Sequence, residues 1–168
     1  MIELTEYEVS FIAKEFLLTQ GFKIITFNPP GAQGSFTIPN PQKDNSYTGQ
    51  TGSITPDIIA IKNIRDKSFI PIIESKPKFN QDDINKMINL IRDRERMEIL
   101  NNLLDSVCKV NKFQIFEKRK FSIIKAHGGL ENTMPDIKTI YVKKLNNFDI
   151  DYFDANTDIH SNYSVNLC

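Results

Sequence analysis

Two runs rich in β-branched residues, 57–62 (DIIAIK) and 69–76 (FIPIIESK), flank a polar stretch at 63–68, a pattern that predicts a β-hairpin. With the turn centred between Arg65 and Asp66, an antiparallel register sets Ile61 opposite Ile70, Ile59 opposite Ile72 and Asp57 opposite Glu74. Strand side chains alternate between faces, so those residues share one face, and Ile58, Ala60, Pro71 and Ile73 share the other. The first face is thus an isoleucine surface that ends in two carboxylates. Pro71 breaks the pattern, because proline cannot donate to a ladder. Its position demands an edge, a bulge or a local lapse of pairing.

Periodicity supplies the remaining elements. Residues 4–20 place Leu4, Phe11, Ile12 and Leu18 on one side of a helix that starts near Leu4 or Thr5, with Gly21 as its terminator. Residues 22–27 form an apolar run that predicts the first strand. Residues 28–53 hold four of the seven glycines and four of the eight prolines, so regular structure stops there. A connection of that length commonly carries function, and this one leads into Asp57 as part of a groove. After the hairpin, Asn80 caps one long helix carried by Ile84, Met87, Ile88, Ile91, Ile99 and Leu103, with the charges of 92–96 on a solvated face. Residues 113–116, 121–125 and 139–143 read as further strands, with a turn at 127–129. From Asn146 the chain is polar and acidic with scattered aromatics, a docking arm or loose tail.

Chain length changes this picture little, since 168 residues fit one domain with a real core. An acidic N-terminus (Glu3, Glu6, Glu8) lacks a signal-peptide pattern, and no apolar run reaches the roughly 20 residues that span a bilayer. The expectation is a cytoplasmic protein with no membrane partner. Cys108 and Cys168 make neither a disulfide framework nor a metal-binding spacing, and His127 and His160 are too far apart in sequence to propose as a cluster.

Charge distribution matters more than the net charge of zero. All 21 Lys and Arg lie within residues 1–144, whereas Asp149, Asp151, Asp154 and Asp158 lie beyond them. The expected division is a domain over 1–144 and an acidic tail over 145–168. Lys109, Lys112, Lys118, Arg119, Lys120 and Lys125 stand against Glu117 alone, a cluster that suits phosphate neutralisation and equally suits a solvated surface.

Opposed like charges destabilise a sheet, because facing Cβ atoms lie only about 4.5–5.5 Å apart. A divalent cation offsets the repulsion of Asp57 and Glu74, since carboxylate oxygens bind Mg²⁺ at about 2.1 Å. Lys76 falls on the same face and suits holding a water or negative charge on a substrate, and the Ser75 backbone carbonyl can complete the metal shell. The bland alternative, a solvated hairpin end, conflicts with the isoleucines behind the carboxylates.

Pro56-Asp57, a spacer and Glu74-Ser75-Lys76 together resemble the PD-(D/E)xK nuclease superfamily, and PDIIAIKN is similar to the matching strand of archaeal Holliday junction resolvases. The resemblance covers about residues 4–126. It implies an α/β, restriction-endonuclease-like core: a central mixed four-stranded sheet flanked by helices in the order αβββαβ, here with additional C-terminal strands. By the same resemblance Asp57 and Glu74 are ligands of Mg²⁺, for which Mn²⁺ can substitute, and Lys76 is the third catalytic residue. A further acidic ligand belongs on the first helix, Glu8 or Glu15 with Glu8 preferred. Gln81 and Lys78 are candidate contacts to the scissile phosphate, and Lys118, Arg119, Lys120 and Lys125 to DNA.

The implied activity is Mg²⁺-dependent endonucleolytic cleavage of DNA by a homodimer or with a partner subunit. The 28–53 connection contains one lysine and no arginine, which departs from the resolvases and favours restriction or defence. DNA repair or recombination is the alternative within the class. A non-catalytic DNA-binding subunit of a larger complex is the alternative outside it.

Overall fold

The computed structural model describes residues 3–31, 36–41, 52–78, 80–128, 138–144, 148–154 and 159–165; within the last three segments only the side chain of Val142 is described. Thr5 caps the first helix, α1 (Glu6–Thr19), in a reciprocal capping box: its hydroxyl accepts from the Glu8 N–H while the Glu8 carboxylate accepts from the Thr5 N–H at 2.7 Å. Gly21 leaves the helix at φ +82°, a left-handed conformation that suits glycine. Lys62 Nζ donates to the Gln20 carbonyl at 2.7 Å and so ties the end of α1 to the neighbouring hairpin.

Seven strands form one sheet in chain order: β1 (Lys23–Phe27), β2 (Ile58–Ile64), β3 (Lys67–Lys76), β4 (Lys118–Gly128), β5 (Lys138–Lys144), β6 (Phe148–Asp154) and β7 (Ile159–Val165). The sheet is mixed, because β3–β4 and β4–β5 are parallel while the other pairs are antiparallel. Its first four strands form the mixed open sheet that the sequence implied. The β2–β3 register is also the expected one, with Ile58 opposite Ile73, Ile59 opposite Ile72 and Lys62 opposite Phe69. Pro71 lies in an interior strand, paired with Ser122 on β4, and the pairing with β2 lapses at Ala60 and Ile61. The missing N–H is therefore absorbed by a local break rather than by an edge.

Helices cover both faces. Val9, Ile12, Ala13, Phe16 and Leu17 of α1 pack on Ile58, Ala60, Ile73, Ile124 and Ala126. The opposite face, Ile59, Ile61, Ile70, Ile72 and Ile123, is covered by α2 (Gln81–Arg92) and α3 (Arg94–Val110). Alternation thus divides the hairpin between two cores, as its pattern required. Among the described residues no helix is long and apolar enough to cross a membrane.

Four local expectations are corrected. The single long helix is two, because Asp93 takes an extended ψ of 111° and its carboxylate accepts from the Arg96 N–H at 3.1 Å, starting α3 afresh. Arg96, expected on a solvated face, is 3% exposed, and its Nη2 donates to the Gly52 carbonyl at 2.7 Å. Residues 113–116 are not a strand: Phe113 and Ile115 pack on the α3 side while the Phe116 N–H donates to Ser68 Oγ at 2.8 Å. His127 and Gly128 belong to β4 rather than to a turn. Beyond these, Phe148–Asp154 and Ile159–Val165 are strands of the same sheet and not a loose arm. The described parts of 28–53 also join the core, through buried Phe36 and Ile38 and a bridge from Ile38 to Ile54.

Asp93→Ala should cost about 1–2 kcal/mol, because it removes the cap of α3 beside the buried Arg96. Urea unfolding checks this, and an unchanged midpoint would show that the helix break does not depend on the carboxylate.

Candidate functional site

The carboxyl-terminal ends of the parallel strands β3 and β4 meet the N-terminus of α2, an arrangement in which open α/β sheets commonly bind ligands. A small cleft lies there, lined by Glu74, Lys76, Asn80, Asp83, Ile84, Lys125, Ala126 and His127. Gly128 makes the close approach possible, since a Cβ at that position would stand 3.0 Å from the Pro77 carbonyl oxygen.

Asp57 precedes β2 and is 9% exposed; its Oδ2 accepts the Ser75 N–H at 2.7 Å. That contact engages Ser75 through its N–H, whereas the sequence points to its carbonyl. Glu74 lies one residue back along β3, and its side chain is 11% exposed. Burial and then the Asp57 charge push the Glu74 carboxyl up to about 8, and burial pushes Asp57 up to about 6 against the pull of the Ser75 N–H and Lys76. Both carboxylates thus lack enough neighbouring positive charge.

Lys76 Nζ stands 2.8 Å from Glu6, 3.6 Å from Glu74 and 3.8 Å from Asp83. Burial acts to lower its pKa, but the Glu6 hydrogen bond and the surrounding carboxylates win and hold it above the ordinary lysine value. The ammonium therefore stays charged. Asp83 and Glu6 were missed in the sequence. Asp83 sits in the first turn of α2, where Lys86 also pairs with it at 2.6 Å. Glu6 is the first-helix carboxylate that reaches Lys76, whereas the Glu8 carboxylate is engaged in the capping box and Glu15 pairs with Lys14 at 3.1 Å.

The phosphate-contact candidates are scattered. Gln81 opens α2 and donates to Asn85 at 2.8 Å; exposed Lys78 pairs with Glu3 at 2.8 Å. Lys118 pairs with Asp66 beside the hairpin turn, Arg119 bonds Asp105 and Asn101 of α3, and Lys120 lies 6.0 Å from the Phe69 ring centre. These three open β4, and Lys125 lies seven residues beyond the first of them, about 23 Å along an extended strand. The basic cluster is therefore split. Lys118–Lys120 stand at the far end of the sheet, and only Lys125 reaches the cleft.

Among the described residues no group of three or more His, Cys, Asp and Glu side chains is placed to hold a metal ion. Asp57 and Glu74 nonetheless suit a hard divalent cation in their chemistry, being oxygen donors held together in a buried, charge-deficient corner. Comparisons with protein-family models, with curated proteins and with solved structures find no match.

Proposed function

We propose that the chain is a Mg²⁺-dependent endodeoxyribonuclease of the PD-(D/E)xK kind, with a restriction or defence role and DNA repair or recombination as the alternative setting. The observation that carries this reading is the convergence of Asp57, Glu74 and Lys76 at one end of an otherwise apolar hairpin. Asp57 and Glu74 would hold Mg²⁺ or Mn²⁺. The bound ion would supply an activated water and polarise the scissile phosphate. The Lys76 ammonium, kept charged by Glu6, Glu74 and Asp83, orients the attacking group or stabilises the charge that develops on phosphate. Ser75 fixes Asp57 through its backbone N–H, so the carboxylate is oriented before any ligand arrives.

Calorimetric titration with Mg²⁺ and Mn²⁺ tests the reading. One site is expected, lost in Asp57→Ala. Absence of binding heat with both ions would leave a non-catalytic DNA-binding subunit as the better account. Lys76→Ala should keep metal affinity while turnover falls by about 10²–10³-fold, the scale of losing one preorganised electrostatic group. A loss of metal affinity in that variant would instead show that Lys76 organises the carboxylates.

One such centre cuts one strand, so duplex cleavage calls for two copies about a two-fold axis. A cytoplasmic homodimer on duplex DNA is accordingly part of the proposal. Light scattering with and without duplex checks it; a monomer in both states would favour nicking or a partner subunit.

A further inference from the structure

The parallel β3–β4 register sets Glu74 beside Lys125 and Lys76 beside His127, so these four side chains share the face covered by α2. Lys125 is 2% exposed and His127 1% exposed, yet both line the same cleft as Glu74, Lys76 and Asp83. A charge set back from water on a cleft wall attracts an entering anion more strongly than one on an open surface, because the surroundings screen it less. Apolar Ile84 of α2, which also lines the cleft, keeps that screening low. The cleft thus has an acidic side on β3 and α2 and a nitrogen-bearing side on β4.

We propose that Lys125 and His127 form a phosphate-binding subsite on the β4 wall of this cleft, which takes a backbone phosphate of the nucleic-acid substrate. The proposal rests on the nuclease reading for the source of the phosphate; it adds His127 and separates Lys125 from the basic cluster in which the sequence placed it. A carboxylate pair alone repels a phosphodiester, and a cation across the cleft gives the phosphate a place to sit. Lys118, Arg119 and Lys120 do not share in this, because they lie at the other end of β4.

Fluorescence anisotropy with a short labelled single strand, in Ca²⁺ and in EDTA, measures the subsite without turnover. Lys125→Met preserves side-chain length and removes the buried charge. It should weaken binding about tenfold or more, the scale of one charge-assisted hydrogen bond. It should also flatten the salt dependence by about 0.7 for the one phosphate lost. Lys125→Gln, a second neutral variant, should behave alike, and His127→Gln should weaken binding less. Inorganic phosphate should compete with the strand on the unaltered protein but not on Lys125→Met.

If either Lys125 variant, folded by circular dichroism, keeps the affinity and the salt slope, the subsite is wrong and Lys125 is only a buried core residue. Cleavage by the unaltered protein alongside unchanged binding in those variants removes the subsite and leaves the nuclease reading. Lys125-dependent affinity without cleavage in any divalent cation removes the nuclease reading and keeps the subsite.

Discussion

Asp57→Ala or Glu74→Ala is expected to abolish DNA cleavage while leaving the fold intact. Loss of a group that merely orients a metal ligand typically costs about 10–100-fold, so loss of a ligand itself should exceed about 100-fold. The fold should survive because neither carboxylate carries the packing, which belongs to Ile59, Ile61, Ile70 and Ile72 against α2 and α3. Single-turnover cleavage and thermal unfolding, run on the same preparations, separate the two effects. Cleavage by Asp57→Ala near the unaltered rate would remove this corner of the sheet as the catalytic centre.

The second large effect is on stability against pH in the absence of metal. Glu74 is raised to about 8 and Asp57 to about 6, both above their ordinary values of 4.5 and 3.8. The folded chain therefore binds protons more tightly than the unfolded chain between those limits. The stabilising contribution is full below about pH 4 and is lost as pH rises through the folded pKa values. Chelated protein should lose on the order of 5 kcal/mol between pH 4.5 and pH 8 from this pair, since a tenfold change in proton affinity is worth about 1.4 kcal/mol. Glu74→Gln should recover much of that loss at pH 8 and little at pH 4.5, and Mg²⁺ should stabilise the unaltered protein most at pH 8. Urea midpoints across pH in EDTA measure this. Parallel curves for the unaltered protein and Glu74→Gln would show that the two carboxylates are not in a charge-deficient site.

The hairpin was legible because alternation of β-branched residues fixes both register and face, and a shift of one residue would have turned the isoleucines out of their cores. That register alone sets Asp57 beside the β3 segment that bears Glu74. The place of Lys125 and His127 was not legible. Their alignment with Glu74 and Lys76 depends on a parallel pairing across the α2–α3 crossover, and no local pattern encodes the register of that pairing. In the sequence Lys125 belongs to a basic cluster; in the fold it is separated from Lys118–Lys120 by a strand's length.

Glu8 was a different case. Thr5 and Glu8 have the spacing of a capping box, which marks Glu8 as engaged with the helix start and leaves Glu6 to face Lys76. Asp93 likewise could have been read as a second cap, since it precedes a helical stripe of Leu100, Leu104 and Cys108 that is offset from that of Ile84 and Met87. The last two strands, β6 and β7, escaped notice because aspartates dominate the composition of the region that holds them. Alternation of Phe148, Ile150 and Tyr152 with Asp149 and Asp151 was the available strand signal.

The most direct test is cleavage itself. Supercoiled plasmid, single-stranded DNA and four-way junction DNA are incubated with the unaltered protein and with Asp57→Ala, each in Mg²⁺ and in EDTA. The account predicts internal cuts in at least one substrate by the unaltered protein in Mg²⁺, and none in EDTA or with Asp57→Ala. Intact DNA throughout with Mg²⁺ and with Mn²⁺, or cutting that survives both EDTA and the loss of Asp57, would contradict it.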